Sequence, residues 1–479
     1  MKTPILGSAY VARSVNAADN RMVNLFPEIV PEGGAEPAFL SRAPGLRKLA
    51  TIGTGPVRGL WSFSGTSTTA FVVSGQTLYR IDQSWNATAL GTIAGLGPVS
   101  MSDNGTQLFV AANGPSYIYN TGTSAFTPIT DPDFPGALMV GYLDGYFVFN
   151  QPNSQKIWVT ALLDGTDIDA LDFASAEGSP DGLVSLIVDH REVWALGSNS
   201  TEVWYDAGAA DFPLQRIQGA FNEIGCIAPF SVAKMDNSVF WLGQDARGRG
   251  MVYRAEGYVG KRISTHAIEW QIQQYTDLSS AVAYTYQQDG HSFYVLNLPF
   301  ANTTWVYDAA INAWHERAAL YQGEFARHRA NCQMNFNNQI VVGDFENGNI
   351  YALDLTYFKD DTQPQRWLRS WRALPTGANT LNRSAQHALQ LECETGVGVV
   401  TGQGDDPQVM LRWSDDGGHT WSNEHWRSMG KIGRYGYRTI WRRLGMTMKL
   451  RDRVYEVSGS DPVKIAIVGA ELMVTPTNV

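Results

Sequence analysis

The sequence predicts an all-β protein: a β-propeller-like main domain, preceded by an extended N-terminal arm and followed by a C-terminal antiparallel β-domain. Three observations point there. A loose repeat of small-residue strand, polar turn, apolar strand and aromatic strand recurs at roughly 40–50 residues, the period of propeller blades. Glycine (47 of 479 residues) and aromatic residues (11%) are abundant while charged residues are only 17%, below the roughly 25% of an ordinary soluble domain. The repeat also stops near Gln363, where longer alternating runs begin.

The arm is read over residues 1–50. VNLFPEIVPEGGAEPAFLSRAPGLRKL carries four prolines, each of which interrupts helix and ladder hydrogen bonding. Such a segment is ordered only by lying on another surface. Leu25, Phe26, Phe39 and Leu46 are its expected anchors, on a sheet or on a neighbouring subunit, because apolar contacts must offset its ordering entropy.

The propeller-like domain is read over 51–362. Its windows begin at GPVRGLWSF, GPVSMSDNG, PGALMVGYL, DGLVSLIVD, APFSVAKMD, SSAVAYTYQ and ANCQMNFNN, and most end on an aromatic strand such as TLYRID, EVWYD or WVYD. A single such unit leaves two sheet edges and a face open, which closing about six or seven in a ring removes. A pair of β-sandwiches shows short strands at similar spacing, and no WD or kelch signature is present. THAIEWQIQQYTDL, from Thr265, has apolar residues near helical spacing; DIDALDFASAEG is a second, weaker helix candidate. The C-terminal domain, 363–479, reads as strands in HALQLECETGVG, VMLRWSDDGG, RYGYRTIWRR and VKIAIVGAELMV.

Composition narrows the function classes. A net charge of −10 argues against a protein that wraps nucleic acid. Cys226, Cys332 and Cys393 form no CxxC pair, so buried thiols are expected rather than zinc or disulfides. The N-terminus lacks an apolar signal-peptide core, and no stretch approaches the ~18 apolar residues of a membrane helix. The eight histidines include no HExxH, and no GxSxG, P-loop or GxGxxG followed by a helix occurs, so no catalytic, metal or cofactor residues are expected.

Two local features remain. Ser414-Asp415-Asp416-Gly417-Gly418-His419-Thr420-Trp421 fits the Asp-box pattern S-x-D-x-G-x-T-W, in which an Asp accepts backbone N–H bonds across a turn. It is a folding device found in sialidases among other proteins; a sialidase would need an arginine cluster and a nucleophile pair besides. The second feature is charge asymmetry. Between Asp131 and Asp211 the only basic residues are Lys156 and Arg191, whereas Arg427, Lys431, Arg434, Arg438, Arg442, Arg443, Lys449, Arg451 and Arg453 crowd one run with Tyr435, Tyr437 and Trp441. The basic run reads as a protein-docking face at Arg434, Arg438, Trp441, Arg442 and Arg443, with a solvated hairpin or DNA contact as the other readings.

VNLFPEIV followed by FLSRAPGLRKL, SPDGLVSLIVDHREVWALGSNSTEVWYD, and IWRRLGMTMKLRDRVYEVSG resemble, in order over nearly the whole chain, the phage stabilisation family: the packaged-DNA stabilisation or tail-hub proteins of short-tailed phages. The resemblance implies a structural virion protein of the tail, made in the host cytoplasm and without catalytic residues. It implies a homo-oligomeric ring, expected as a hexamer, below the portal and its adaptor ring. That ring would retain packaged DNA and carry the tail needle and the tailspikes or tail fibres. In such a ring Asp164, Asp167, Asp169 and Asp172 are expected to face the channel, since an acidic wall lets phosphate slide. The alternative reading is a carbohydrate-active or carbohydrate-binding propeller, a sialidase-like hydrolase or a receptor binder. A hydrolase would show convergent carboxylates and arginines in a central pocket.

Overall fold

The central strands of the repeat carry apolar side chains on both faces. TAFVVS (Thr69–Ser74), QLFVA (Gln107–Ala111) and EVWALG (Glu192–Gly197) are buried along nearly their whole length, as a strand must be when sheets cover it on both sides. The computed structural model describes every residue except 8, 14–18, 31–33, 35, 177, 210–211, 246–247, 375–382, 449–452 and 478–479. In it each of the seven sequence windows becomes one antiparallel sheet, spanning residues 57–92, 100–128, 140–175, 183–222, 225–262, 282–316 and 330–354. Their first strands are neighbours in chain order, and Ala330–Phe336 of the seventh lies against Val57–Ser62 of the first. The ring is therefore closed, with seven blades.

Turn chemistry sets the register. In blades three to seven the first hairpin turns on two residues of positive φ: Asp144–Gly145, His190–Arg191, Asp236–Asn237, Asp289–Gly290 and Asn337–Asn338. That is the type I′ geometry, whose twist matches paired strands. The seventh blade takes its outer strand from the other end of the sequence: Gly45–Thr51 pairs antiparallel with Asn349–Asp354. The closing strand thus covers an edge that the last repeat would leave bare.

The described residues of the 1–50 segment are largely extended, and the sheets they lie on belong to the same chain. Met22–Val23 pairs with Ala313–Glu316 of the sixth blade on one side and with Trp367–Arg372 on the other. It makes one nine-stranded sheet that runs from the sixth blade through Trp367–Arg372, Val454–Gly459 and Gln408–Ser414 to His425–Ser428. Leu25–Ile29 and Ala38–Arg42 join Ala466–Pro476, Ser384–Cys393 and Thr439–Arg442 in a five-stranded sheet. The C-terminal parts of these two sheets form a sandwich around Trp367, Trp371, Trp441, Leu411 and Leu472, with Leu25 and Leu40 contributed by the N-terminal segment. Pro27 is accommodated because Leu25–Ile29 is an edge strand, where a missing N–H leaves no ladder partner unpaired.

The expected anchors are resolved individually. Leu25 and Leu46 are fully buried, and Phe26 is nearly so. Phe26 sits at the junction of sandwich and propeller, 5.0 Å from the His291 ring and 5.5 Å from that of Phe293. Phe39 is half-buried opposite Glu28. Leu25 and Phe26 fill this chain's own core, which removes them from the expected intermolecular interface. Asn24, at φ 53°, turns the chain between the two units. Its side-chain amide donates to Ala318 O (2.8 Å) and Arg366 O (2.7 Å) and accepts from Ala318 N (3.0 Å).

The helix forms as its pattern predicts, over His266–Gln273, with the Thr265 hydroxyl accepting from Ile268 N and Ile268 and Ile272 buried. The second candidate does not form. Residues 167–176 hold a loop and the strand Phe173–Ser175, which pairs with Lys156–Val159. Leu171, which would have anchored a helix face, is exposed.

Candidate protein-docking surfaces

The propeller's first strands surround a cavity of about 710 Å³. Arg58 and Lys234 line it together with Trp61, Met101 and Tyr286, and no aspartate, glutamate or histidine is among its lining residues. The Arg58 guanidinium is occupied by the carbonyls of Gly97 (2.6 Å), Gly75 (2.9 Å) and Ala94 (3.1 Å). The cavity thus lacks the facing carboxylates that a glycosidase needs. Among the described residues no cluster of three metal-ligating side chains occurs. Burial pushes the thiols of Cys226 and Cys332 up to about 12 and that of Cys393 up to about 11, which makes them poor nucleophiles. His315 and His328 are also buried and held neutral, the latter lowered to about 3 by burial and by Arg317.

The Asp box folds as its pattern requires. Asp416 accepts from the Ser414 hydroxyl (2.6 Å), Thr420 N (2.8 Å) and the Thr420 hydroxyl (2.6 Å). The Ser414 and Thr420 hydroxyl bonds hold its carboxyl below the usual range. The Arg412 guanidinium stacks 4.7 Å from the Trp421 ring. A group with a depressed folded pKa contributes stability above its unfolded pKa and loses it as pH falls through the folded one. Asp416→Ala should therefore lower the unfolding midpoint at neutral pH. The gap to wild type should narrow below about pH 4, the unfolded carboxylate value, in thermal melts across that range.

The basic run divides on folding. Arg453 is buried, donating to both Asp415 oxygens (2.7 and 2.8 Å) and to Leu444 O. Trp441 is buried in the sandwich core, its indole N–H on His425 O (2.7 Å); it is not an interface residue. The cause is strand alternation: in Thr439–Arg442, Thr439 and Trp441 point inward while Arg442 points out. Lys449 and Arg451 lie outside the described residues. Arg427, Lys431, Arg434, Arg438, Arg442 and Arg443 are exposed, and none forms an ion pair with a described carboxylate. The nearest fixed partner of Arg438 is Gln390 Oε1, 2.9 Å from Nε. Between these cations stand Trp426, Ile432 and Tyr435, at 54%, 55% and 77% exposure. The strands His425–Ser428 and Thr439–Arg442, one from each sheet, adjoin here through Thr439 Oγ1 on Ser428 O (3.1 Å).

Asp164, Asp167, Asp169 and Asp172 lie together on the connection between the third and fourth strands of the third blade, and none lines the propeller's own cavity. Asp164 accepts from Thr166 N (3.0 Å), the Thr166 hydroxyl (2.8 Å) and Gln107 Nε2 (3.2 Å). Burial opposes its ionisation, and these bonds outweigh burial, so its carboxyl stays below the usual range. Asp169 accepts from Leu171 N (2.9 Å). Burial, then the charges of Asp169 and Asp167, raise Asp172. The same connection exposes Leu162, Leu163 and Leu171, at 59%, 59% and 78%. The acidic pattern of LLDGTDIDALD marks the carboxylates, and the same segment holds the three leucines, which the charge pattern alone does not single out.

Two family models match this arrangement, unit by unit. One, described as bacteriophage P22 Gp10, beta-propeller, covers residues 1–358, and the other, bacteriophage P22 Gp10, beta-sandwich, covers residues 366–475. The chain belongs to the bacteriophage P22 Gp10 family. The Gp10 family is one of structural phage tail proteins. The Gp10 propeller match includes the N-terminal segment that closes the seventh blade, and its end at 358 precedes the first sandwich strand at Trp367. No curated protein matches. Solved structures with partial likeness include the N-terminal domain of Nup159, with 11% identity, TM-score 0.41, and 70% of this chain and 100% of that one covered. Another is virginiamycin B lyase from Staphylococcus aureus, with 12% identity, TM-score 0.43, and 64% and 98% covered. YCF48 from Cyanidioschyzon merolae has 14% identity, TM-score 0.42, and 65% and 99% covered. These likenesses carry no argument about what the chain does. No helix among the described residues is long and apolar enough to cross a membrane.

Proposed function

We propose that this protein is a tail-hub or nozzle subunit of the phage particle. Copies assemble as a ring below the portal–adaptor complex, close the channel to retain packaged DNA, and anchor the tail needle and the tailspike or tail-fibre proteins. The observation that carries this reading is the paired Gp10 match, propeller and sandwich in order over residues 1–358 and 366–475. The cavity lining, without any carboxylate, supports a role in assembly rather than hydrolysis. The mechanism is geometric: a cyclic ring of rigid β-units extends the portal channel and offers its surfaces to other tail proteins.

Particles from a host unable to make this protein should package DNA and then lose it, and their purified heads should lack the lower tail. Electron microscopy of wild-type tails should show the protein as a ring on the channel axis. Mature particles that lack the protein and still hold their DNA would refute the reading.

A further inference from the structure

Two exposed surfaces of this chain are complementary in charge and alike in their apolar content. The sandwich edge presents Arg434, Arg438 and Arg442 around Tyr435 and Trp426; the third blade's rim presents Asp167 and Asp169 around Leu162 and Leu171. We propose that these two surfaces bind each other between neighbouring copies, so that the sandwich edge of one subunit docks on the third-blade rim of the next. The inference deepens the hub reading and rests on it for the ring.

The fold places the two surfaces for such a contact. The nine-stranded sheet leaves the propeller at the sixth blade and ends four strands beyond Met22–Val23, at His425–Ser428. Thr439–Arg442 is likewise the outermost strand of the other sheet. The basic face is therefore the far tip of the molecule on the side of the sixth and seventh blades. In a seven-bladed ring the third blade is three blades from the sixth in one direction and three from the seventh in the other, so the acidic rim lies across the propeller. Different patches on opposite sides of one subunit make a head-to-tail contact, which closes into a ring when the rotation allows.

The leucines choose this occupant over a DNA-lined channel. A wall along which DNA slides gains from hydrated carboxylates and nothing from exposed leucine side chains. Apolar groups within a charged patch are instead what a protein interface buries. On the basic side, aromatic side chains and arginines that pair with no described carboxylate are the residue types that anchor such interfaces, and the opposite charges steer the encounter.

Charge reversal tests the pairing. The variants are Arg434→Glu with Arg442→Glu, Asp167→Lys with Asp169→Lys, and the fourfold combination. Each is read by incorporation into particles and by sedimentation of the purified protein at high concentration and low salt, with its unfolding midpoint as a control for folding. Each double variant should incorporate about tenfold less or worse. The fourfold variant should recover, and so should an equal mixture of the two double variants, because an alternating ring satisfies every contact. Normal incorporation of the aspartate variant, including with slowed DNA ejection, would overturn the pairing. Loss in the arginine variant without rescue would also overturn it and would give that face to another tail protein. If wild-type protein is missing from particles the hub reading fails, while sedimentation still reads the contact; a wild type that stays monomeric there as well would overturn both.

Discussion

A chain starting at Gly45 should not fold into either unit, although it keeps all seven sequence windows and every C-terminal strand. The deletion removes Met22–Val23, which joins the sixth blade to the sandwich, and two of the five strands of one sandwich sheet. It also removes residues 1–3, where Met1 N donates to Leu472 O and Thr3 N to Ala470 O. Ile5, Met22, Leu25, Phe26 and Leu40 are all buried. At about 1.5–3 kcal/mol for each large apolar side chain, their loss amounts to roughly 8–15 kcal/mol. That equals the whole stability of a typical domain, about 5–15 kcal/mol. The truncated chain should be insoluble or lack a cooperative thermal transition, and the single change Leu25→Ala should cost about 2–5 kcal/mol. A soluble 45–479 chain with a wild-type melt would show that the segment is an accessory.

What the sequence made legible was local. The seven windows could be read because each blade repeats the same order of strand, turn and aromatic strand, and the Asp box and the Thr265 cap act within a few residues of themselves. What escaped was long-range. Thr3 meets Ala470 and Gly45–Thr51 meets Asn349–Asp354, pairings that no local period announces. The prolines around Phe26 suggested a segment outside the ladders, yet Pro27 lies on an edge strand, where the rule against proline relaxes. Along the chain the basic run is one stretch, whereas folding sorts it: alternation buries Trp441, and Asp415 takes Arg453 inward. The leucines at the acidic rim were visible as letters, but only folding shows that they remain exposed.

The same limit hid Arg42, and replacing it should be the most damaging single substitution in the molecule. Its guanidinium is buried and donates to five acceptors: Asp461 O (2.6 Å), Val463 O (2.9 Å), Phe358 O (3.2 Å), Gln365 O, and Gln365 Oε1 (3.1 Å from Nε). Phe358 ends the propeller match, Gln365 belongs to the connection, and Asp461 and Val463 belong to the sandwich. One side chain therefore ties the connection between the units to both of them. Burial lowers its pKa to about 10, with Asp360 and Asp461 opposing that shift, so it is charged at neutral pH. Arg42→Ala takes the donor from the carbonyls of Val463, Gln365 and Phe358, while Asp461 O keeps Val463 N, and should cost about 3–5 kcal/mol. Arg42→Lys keeps a charge but not the planar fork and should recover only part of it. Asp360 adds a sign. Burial raises its carboxyl to about 7, with Gln365 and then Arg42 opposing that rise. A raised folded pKa means that its contribution is present below the unfolded value near 4 and is lost as pH rises through about 7. At pH 5 it is neutral and little affected by losing the guanidinium. At pH 8 the wild-type group is largely ionised beside Arg42, and without that neighbour its pKa rises further, so more of its stability contribution is lost by pH 8 in the variant. The gap between wild type and Arg42→Ala in calorimetric melts should therefore be wider at pH 8 than at pH 5, and limited proteolysis should cut the variant between Phe358 and Gln365. A gap that is equal at both values, or wider in acid, would separate Asp360 from Arg42.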